Sequence, residues 1–166
     1  MKKYLIALIM LYATLSFAQV DTRMTRINQT SHAPGELDTL IVDVEARSAG
    51  NGAVVTYGFQ GSIRVSDFLS KADPQVIFLN QLFPAGNYNV TEDYRASKNR
   101  IRYVYTYDRG AAQSIGTSWT PVVRIHIVYQ ADEHPINLSW YEGSPHFFVL
   151  NSDNETVTGV EDNVGF

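Results

Sequence analysis

Histidine, serine and carboxylate side chains could carry catalysis in this chain, and their spacing decides which reactions they support. The four histidines lie on separate segments, without the His-Glu-x-x-His spacing that puts two zinc ligands on one helix face. No serine occupies a Gly-x-Ser-x-Gly turn, since Gly61-Ser62-Ile63 and Thr117-Ser118-Trp119 both depart from that pattern. The acidic pairs Glu92-Asp93 and Asp132-Glu133 occur in turn-like sequence, where solvated carboxylates are ordinary. The chain is therefore predicted not to be an enzyme, and a small hydrolase that uses clustered acids is the catalytic alternative.

A second group of polar residues concentrates oxygen atoms near the C-terminus. Asn151, Asp153 and Glu155 lie close together in sequence, and their side-chain oxygens are the kind of ligand that calcium prefers. The segment lacks the glycine and the terminal glutamate of an EF-hand loop. An Asx-rich turn explains the same residues. The segment is predicted to be a turn first and a weak calcium site second, and no other cofactor is expected.

Alternation of apolar and polar residues predicts the strands that must position any site. Residues 99–108 alternate most regularly, and their arginines would be costly to bury without partners, so the apolar side is expected to face the core. That apolar side consists of Ile101, Tyr103, Tyr105 and Tyr107, and Arg102 lies opposite. Residues 120–130 repeat the pattern, with an outward side of Val122, Arg124, His126 and Val128.

The stretch from Ala33 to Ser66 is predicted to form a β-hairpin around which the rest of the chain is organised. Its first strand turns Leu40, Val42, Val44 and Ala46 inward. Its second strand turns Val55, Tyr57, Phe59, Ile63 and Val65 inward, and Thr56, Gln60, Ser62 and Arg64 outward. Residues 48–52 between the two strands tolerate positive φ, which allows the chain to reverse. No helical periodicity is sustained elsewhere, and about seven to nine short strands are typical of an all-β, two-sheet antiparallel β-sandwich.

The N-terminal segment indicates a secreted or cell-surface protein. Lys2 and Lys3 precede an apolar run that ends at Ser16-Phe17-Ala18, which predicts a signal peptide over residues 1–18. The run is too short to serve as a membrane anchor. Residues 19–166 are then a single β-sandwich domain with 11 basic and 17 acidic residues, and this charge of −6 disfavours nucleic acid as a partner. The absence of cysteine excludes thiolate catalysis and disulfides.

Several segments resemble a cohesin-type domain. The proline-glycine-acid turn at Ala33-Pro34-Gly35-Glu36 leads into the strand Leu40–Val44, as at the opening of such domains. Similar pieces follow in the same order: a long strand over 54–65, Asp73-Pro74 before the apolar segment 76–79, and strands at 100–107 and 122–129. The resemblance covers most of the mature chain. It implies an exported, non-catalytic jelly-roll sandwich of about nine strands, related to carbohydrate-binding modules, that binds a partner through one sheet face.

A cohesin-like strand order would bring the outward residues of three strands onto one sheet. The resulting candidate binding residues are Gln60, Arg64, Arg102, Arg124 and His126. Arginine pairs with carboxylates or sulfates and stacks on planar groups, so this face would suit an acidic partner. Charged residues on exposed strands also guard against edge pairing and aggregation, so a merely solvated face is the alternative.

The predicted function is therefore an exported, non-catalytic module that recognises a protein or a polysaccharide through a sheet face. A structural or adhesive domain of a cell-surface protein is the second hypothesis, and the small hydrolase is the third. No membrane span is expected in the mature chain.

We predict that the secreted protein begins at Gln19, because the small residues Ser16 and Ala18 occupy the positions that signal peptidase reads. Mass spectrometry of the intact secreted product measures this directly. A product that retains Met1 would contradict the prediction.

Overall fold

The computed structural model describes residues 19–66, 74–131, 137–142 and 148–164. The predicted signal peptide at 1–18 and the acidic pair Asp132-Glu133 lie outside these ranges. In the described part of the chain, no helix has the length and apolar character that crossing a membrane requires.

Eleven strands and one short 3₁₀ turn make up the regular structure of the described residues. The strands are β1 (Val20–Gln29), β2 (Leu37–Ser48), β3 (Val54–Val65), β4 (Gln75–Asn80), β5 (Tyr88–Arg95), β6 (Arg100–Tyr107), β7 (Gln113–Ile115), β8 (Thr120–Gln130), β9 (Leu138–Trp140), β10 (Phe148–Asn151) and β11 (Thr158–Val164). The 3₁₀ turn spans Ala96–Lys98, between β5 and β6.

The strands form two sheets that pack face to face. The five-stranded sheet has the order β11-β1-β2-β8-β4, and the six-stranded sheet has the order β10-β3-β6-β5, with β7 and β9 also paired to β3. Every pairing is antiparallel except that of β1 with β11. This arrangement confirms the predicted all-β sandwich. The described residues form two more strands than the expected nine, because β5 and the three-residue β7 occupy segments whose polar and small residues are typical of loops.

An aromatic layer between the sheets forms the centre of the core. Phe83 packs against Phe59 and Tyr105, with ring centroids 5.5 and 5.1 Å apart, and Tyr103 stacks on Phe59 at 6.2 Å. Tyr103 and Tyr105 are fully buried, which confirms that the tyrosine side of β6 faces inward. Gly61 belongs to this layer because a side chain at its position would collide with the Tyr103 ring.

The Tyr105 hydroxyl donates a hydrogen bond of 2.6 Å to Oε1 of Glu92 on the neighbouring strand β5. Burial, and then this bond to a carboxylate, raise the pKa of Tyr105 far above its usual range, so the phenol stays a donor. The Glu92-Asp93 pair, predicted in turn-like sequence, lies instead within strand β5. One of its carboxylates is an acceptor at the rim of the core.

The predicted hairpin is wrong in its pairing, although both of its strands exist. β2 lies between β1 and β8 in the five-stranded sheet, whereas β3 belongs to the six-stranded sheet. Residues 49–53 therefore carry the chain from one sheet to the other. The apolar positions could not reveal this, because a period of two fits strands that pair side by side and strands that face each other across a core.

Two β-bulges reverse the predicted direction of individual side chains. Val122 is an extra residue of β8 opposite the Val44–Glu45 step of β2, and it is buried rather than outward. Tyr57 is likewise an extra residue of β3 opposite β10, so Thr56 is buried and Val55 is 40% exposed. A bulge inserts one residue and shifts the alternation beyond it, which a strict period of two cannot anticipate.

We predict that Tyr105→Ala destabilises the protein by about 3 to 5 kcal/mol, because it removes a fully buried ring and leaves Glu92 without its donor. The neighbouring variant Thr106→Ala, at an exposed position of the same strand, should change the free energy of unfolding by less than about 0.5 kcal/mol. Urea denaturation of both variants measures the difference. Small losses of comparable size in both variants would contradict the inward direction of the Tyr105 side chain.

Candidate functional site

The structure divides the five candidate binding residues between the two sheets. Gln60 and Arg64 on β3 lie beside Arg102 on β6 in the six-stranded sheet. Arg124 and His126 lie on β8 in the five-stranded sheet, between β2 and β4. The expectation that all five share one face is therefore wrong, since the outer faces of a sandwich point in opposite directions. The two outer faces are described in turn.

Arg124 on the five-stranded sheet is held by a buried carboxylate. Its Nε and Nη2 donate to the two carboxylate oxygens of Asp43 at 2.7 and 2.8 Å, and the Asp43 side chain is only 4% exposed. This hydrogen-bonded pair raises the pKa of Arg124. His126 lies two residues further along β8, opposite Ile41 of β2 on one side and Ile77 of β4 on the other. Arg124 therefore has a structural partner within its own sheet.

The other arginines of this face are also paired. Arg23 donates to Glu45 at 2.6 Å, and Arg47 contacts Asp21 at 3.3 Å. The two guanidinium groups lie over the Trp119 ring, 4.3 and 4.6 Å from its centroid. The outer face of the five-stranded sheet is here called the five-strand face. Its arginines Arg23, Arg47 and Arg124 are each paired with a carboxylate of the same sheet.

The outer face of the six-stranded sheet, here called the six-strand face, has an apolar centre. Cross-strand register places Phe148, Gln60, Val104 and Thr91 in one row and Ser62, Arg102 and Asp93 in the next. Leu150 covers Gly58 beside the first row, where a larger residue would be crowded by its side chain. Phe148, Val104 and Leu150 are each partly exposed, so they present apolar atoms at the surface.

Polar atoms around this centre lack partners in the described part of the chain. Arg102 Nη2 makes a long contact of 3.4 Å with Gln60 Oε1, but its Nε is buried without a hydrogen bond. Ser62 Oγ and Asp93 Oδ1 are also buried and unpaired. Unpaired buried polar atoms are uncommon in folded proteins and costly to maintain. The six-strand face therefore carries unused hydrogen-bonding capacity next to apolar contacts.

Arg64 and Tyr141 lie at the end of the six-strand face where β3 pairs with β9. Arg64 is exposed and lines a pocket of about 160 Å³ with Ser66, Asn137 and Ser139. The backbone N–H of Tyr141 donates to the Ser62 carbonyl at 2.9 Å, and the Tyr141 ring lies 5.2 Å from the guanidinium of Arg100. Gln60, predicted to be outward, keeps that direction but is 4% exposed.

Sequence analysis missed Asp93, Tyr141 and Phe148 as members of this face. Asp93 was expected in a turn, although the alternation Asn89, Thr91, Asp93, Arg95 along β5 is a usable strand signal. Phe148 and Tyr141 carry no such signal, because Phe148 begins the short strand β10, Tyr141 directly follows the short strand β9, and both strands depend on pairing with β3.

The segment considered for calcium has the geometry of an Asx turn. Asn151 Oδ1 accepts hydrogen bonds from the backbone N–H groups of Asp153 and Glu155, both at 2.9 Å, and Asn154 adopts a left-handed φ of 60°. Within the described ranges, no three His, Asp or Glu side chains converge as metal ligands. Calcium binding by Asn151, Asp153 and Glu155 stays a prediction.

Comparison with solved structures shows the same fold in cohesin domains. The structure of a complex between CaDoc0917 and CaCohA2 aligns with a TM-score of 0.60 at 12% identity, over 89% of this chain and 95% of that chain. A type II cohesin domain from the cellulosome of Acetivibrio cellulolyticus aligns with a TM-score of 0.56 at 10% identity, over 87% and 91%. A type I cohesin–dockerin complex from Clostridium thermocellum aligns with a TM-score of 0.54 at 12% identity, over 88% and 99%. No protein-family model matches the chain, and no characterised protein matches it in sequence. The predicted cohesin-like β-sandwich is confirmed.

We predict that Arg124→Ala lowers the free energy of unfolding by about 1.5 to 3 kcal/mol, because it leaves the buried Asp43 carboxylate without its bidentate partner. The matched variant Arg64→Ala removes an exposed arginine and should cost less than about 0.5 kcal/mol. Chemical denaturation of both variants separates a structural arginine from a free one. Comparable losses would contradict the division of roles between the two faces.

Proposed function

We propose that this chain is an exported, non-catalytic protein-binding module, and that its partner docks on the six-strand face. The observation that carries the proposal is the group of partly exposed apolar side chains of Val104, Phe148 and Leu150 beside the exposed Arg64 and the partly exposed Arg102. An interface with an apolar centre and a hydrogen-bonding rim has this composition. A docked partner would remove these apolar atoms from water and would pair with the accessible guanidinium groups beside them.

The charges of the two faces favour the same surface. Arg124, Arg23 and Arg47 on the five-strand face are committed to carboxylates of their own sheet. Arg64 is exposed and Arg102 is partly exposed, and among the described residues neither of them is paired with a carboxylate. The chain as a whole is acidic, with a net charge of −4, so these two arginines form a local basic site. A partner that brings carboxylates to this site would gain charge-assisted hydrogen bonds.

A protein partner suits the aromatic residues better than a polysaccharide does. Sugar-binding sites stack exposed aromatic rings on pyranose faces, and here Tyr103 and Tyr105 are fully buried. The Trp119 ring already packs against the guanidinium groups of Arg23 and Arg47. The cohesin–dockerin complex among the similar structures adds support for a protein ligand. A signal peptide at residues 1–18 would deliver such a module to the cell surface or the medium.

The test is capture of partners by immobilised mature protein from the secreted and surface fractions of its source, with variants on each face. Val104→Asp places a carboxylate at the centre of the six-strand face and should reduce capture roughly tenfold or more. Arg64→Ser combined with Arg102→Ser should weaken capture too, and most strongly at low salt, where charge pairing counts most.

Ile41→Asp is the matched control, because Ile41 is a partly exposed apolar residue at a central position of the five-strand face. Thermal melts establish that all variants are folded. We expect the control to capture partners like the wild type, and we expect no signal on a glycan array. Loss of capture by Ile41→Asp with retention by Val104→Asp would overturn the proposed face.

A further inference from the structure

The edge strands of the two sheets differ in how they are protected from pairing with another chain. β5 carries Glu92, Asp93 and Arg95, and β11 carries Glu161. β10 is only four residues long and is partly covered, because Asn151 and Val149 bond to the backbone of residues 155 and 157. Charges, shortness and cover are the usual defences of a sheet edge.

β4 has none of these defences among the described residues. Its sequence, Gln-Val-Ile-Phe-Leu-Asn, contains no charged residue, no proline and no glycine. It pairs with β8 on one side, and no described strand pairs with its other side. Ile77 and Leu79 are 48% and 41% exposed, and Val76 and Phe78 are partly exposed. A regular, apolar and uncharged edge of this kind is a template for another strand.

We infer that β4 pairs with β4 of a second copy of this chain, antiparallel, so that two five-stranded sheets join into one continuous sheet. In an antiparallel pair, directly opposite residues share a face. A twofold axis through Phe78 therefore sets Phe78 opposite itself and Ile77 opposite Leu79 of the other copy. Both apolar side chains on the outer side then acquire an apolar neighbour.

A second copy fits this edge better than a foreign strand does. An uncharged strand meets no like-charge repulsion when it pairs with itself, whereas it offers a foreign strand no charge by which to be selected. Among the described residues, the charged side chain opposite β4 on this face is Arg124, across from Leu79 on β8, and it is already paired with Asp43. Self-pairing therefore brings together no unpaired charges from this part of the sheet.

The pairing has a consequence beyond single-site binding. β4 belongs to the five-stranded sheet, so a dimer formed through it leaves the six-strand face of each copy uncovered. Two such faces on one particle would make the assembly bivalent toward a surface that displays several partners. Pairing through β4 does not depend on the six-strand face being the docking surface, whereas the bivalence rests on that proposed function.

Sedimentation equilibrium of the mature protein over a wide concentration range tests the inference. We expect a reversible monomer–dimer equilibrium, and we expect Ile77→Lys to raise the dimer Kd by roughly tenfold or more, because it places a charge at the paired edge. Leu37→Lys is the matched control: Leu37 is 67% exposed on the same outer face, but it lies on β2. The control should dimerise like the wild type.

Thermal melts identify any variant that fails to fold, and Leu79→Lys replaces Ile77→Lys if that variant does. A wild-type protein that is monomeric at every concentration would overturn the inference. A dimer that survives both β4 variants, or that is lost in Leu37→Lys, would also overturn it, because the contact would then lie on the sheet face or elsewhere.

Discussion

The burial of one aromatic layer between two sheets is the constraint on which the rest of this structure depends. The chain has no cysteine, so packing has to hold the sandwich together. Phe59, Phe83, Tyr103 and Tyr105 fill the space between the sheets, and every strand that contributes to them must turn its other side outward. Because the apolar side of each strand is buried in the core, the remaining side chains form the two outer faces. These faces therefore lie on opposite sides of the sandwich.

The two outer faces then use the same residue types for different purposes. On the five-strand face each arginine has a carboxylate within its own sheet, and Asp43 is buried enough to depend on Arg124. On the six-strand face Arg102 has one long contact, while its Nε and the nearby Ser62 Oγ have no hydrogen-bond partner among the described residues. Arginine content therefore does not identify a binding surface. The difference lies in whether the donors are already satisfied.

Strand positions and the inward side of β6 and β8 could be predicted from the sequence, because burial imposes a period of two on residues such as Tyr103, Tyr105, Ile125 and Ile127. Strand pairing could not, and the predicted hairpin failed for that reason. Local alternation reports only that a strand has a buried side, whereas pairing is decided by contacts distant in sequence. Gln60, Arg64 and Arg102 lie on the paired strands β3 and β6, as expected. Arg124 lies on β8 in the other sheet, because the strand order differs from the expected one. The bulge at Val122 changed a side-chain direction that no local pattern encodes.

Arginine-selective chemical labelling, read by mass spectrometry with and without the captured partner, tests the central claim most directly. In the free protein, the exposed Arg64 should react readily. Arg124 should react slowly, because its Nε and Nη2 are hydrogen-bonded to the Asp43 carboxylate. Bound partner should protect Arg64 and Arg102 and leave the reactivity of Arg23 and Arg47 unchanged. Protection of Arg23 and Arg47, with Arg64 still reactive, would place the partner on the opposite sheet and contradict the account.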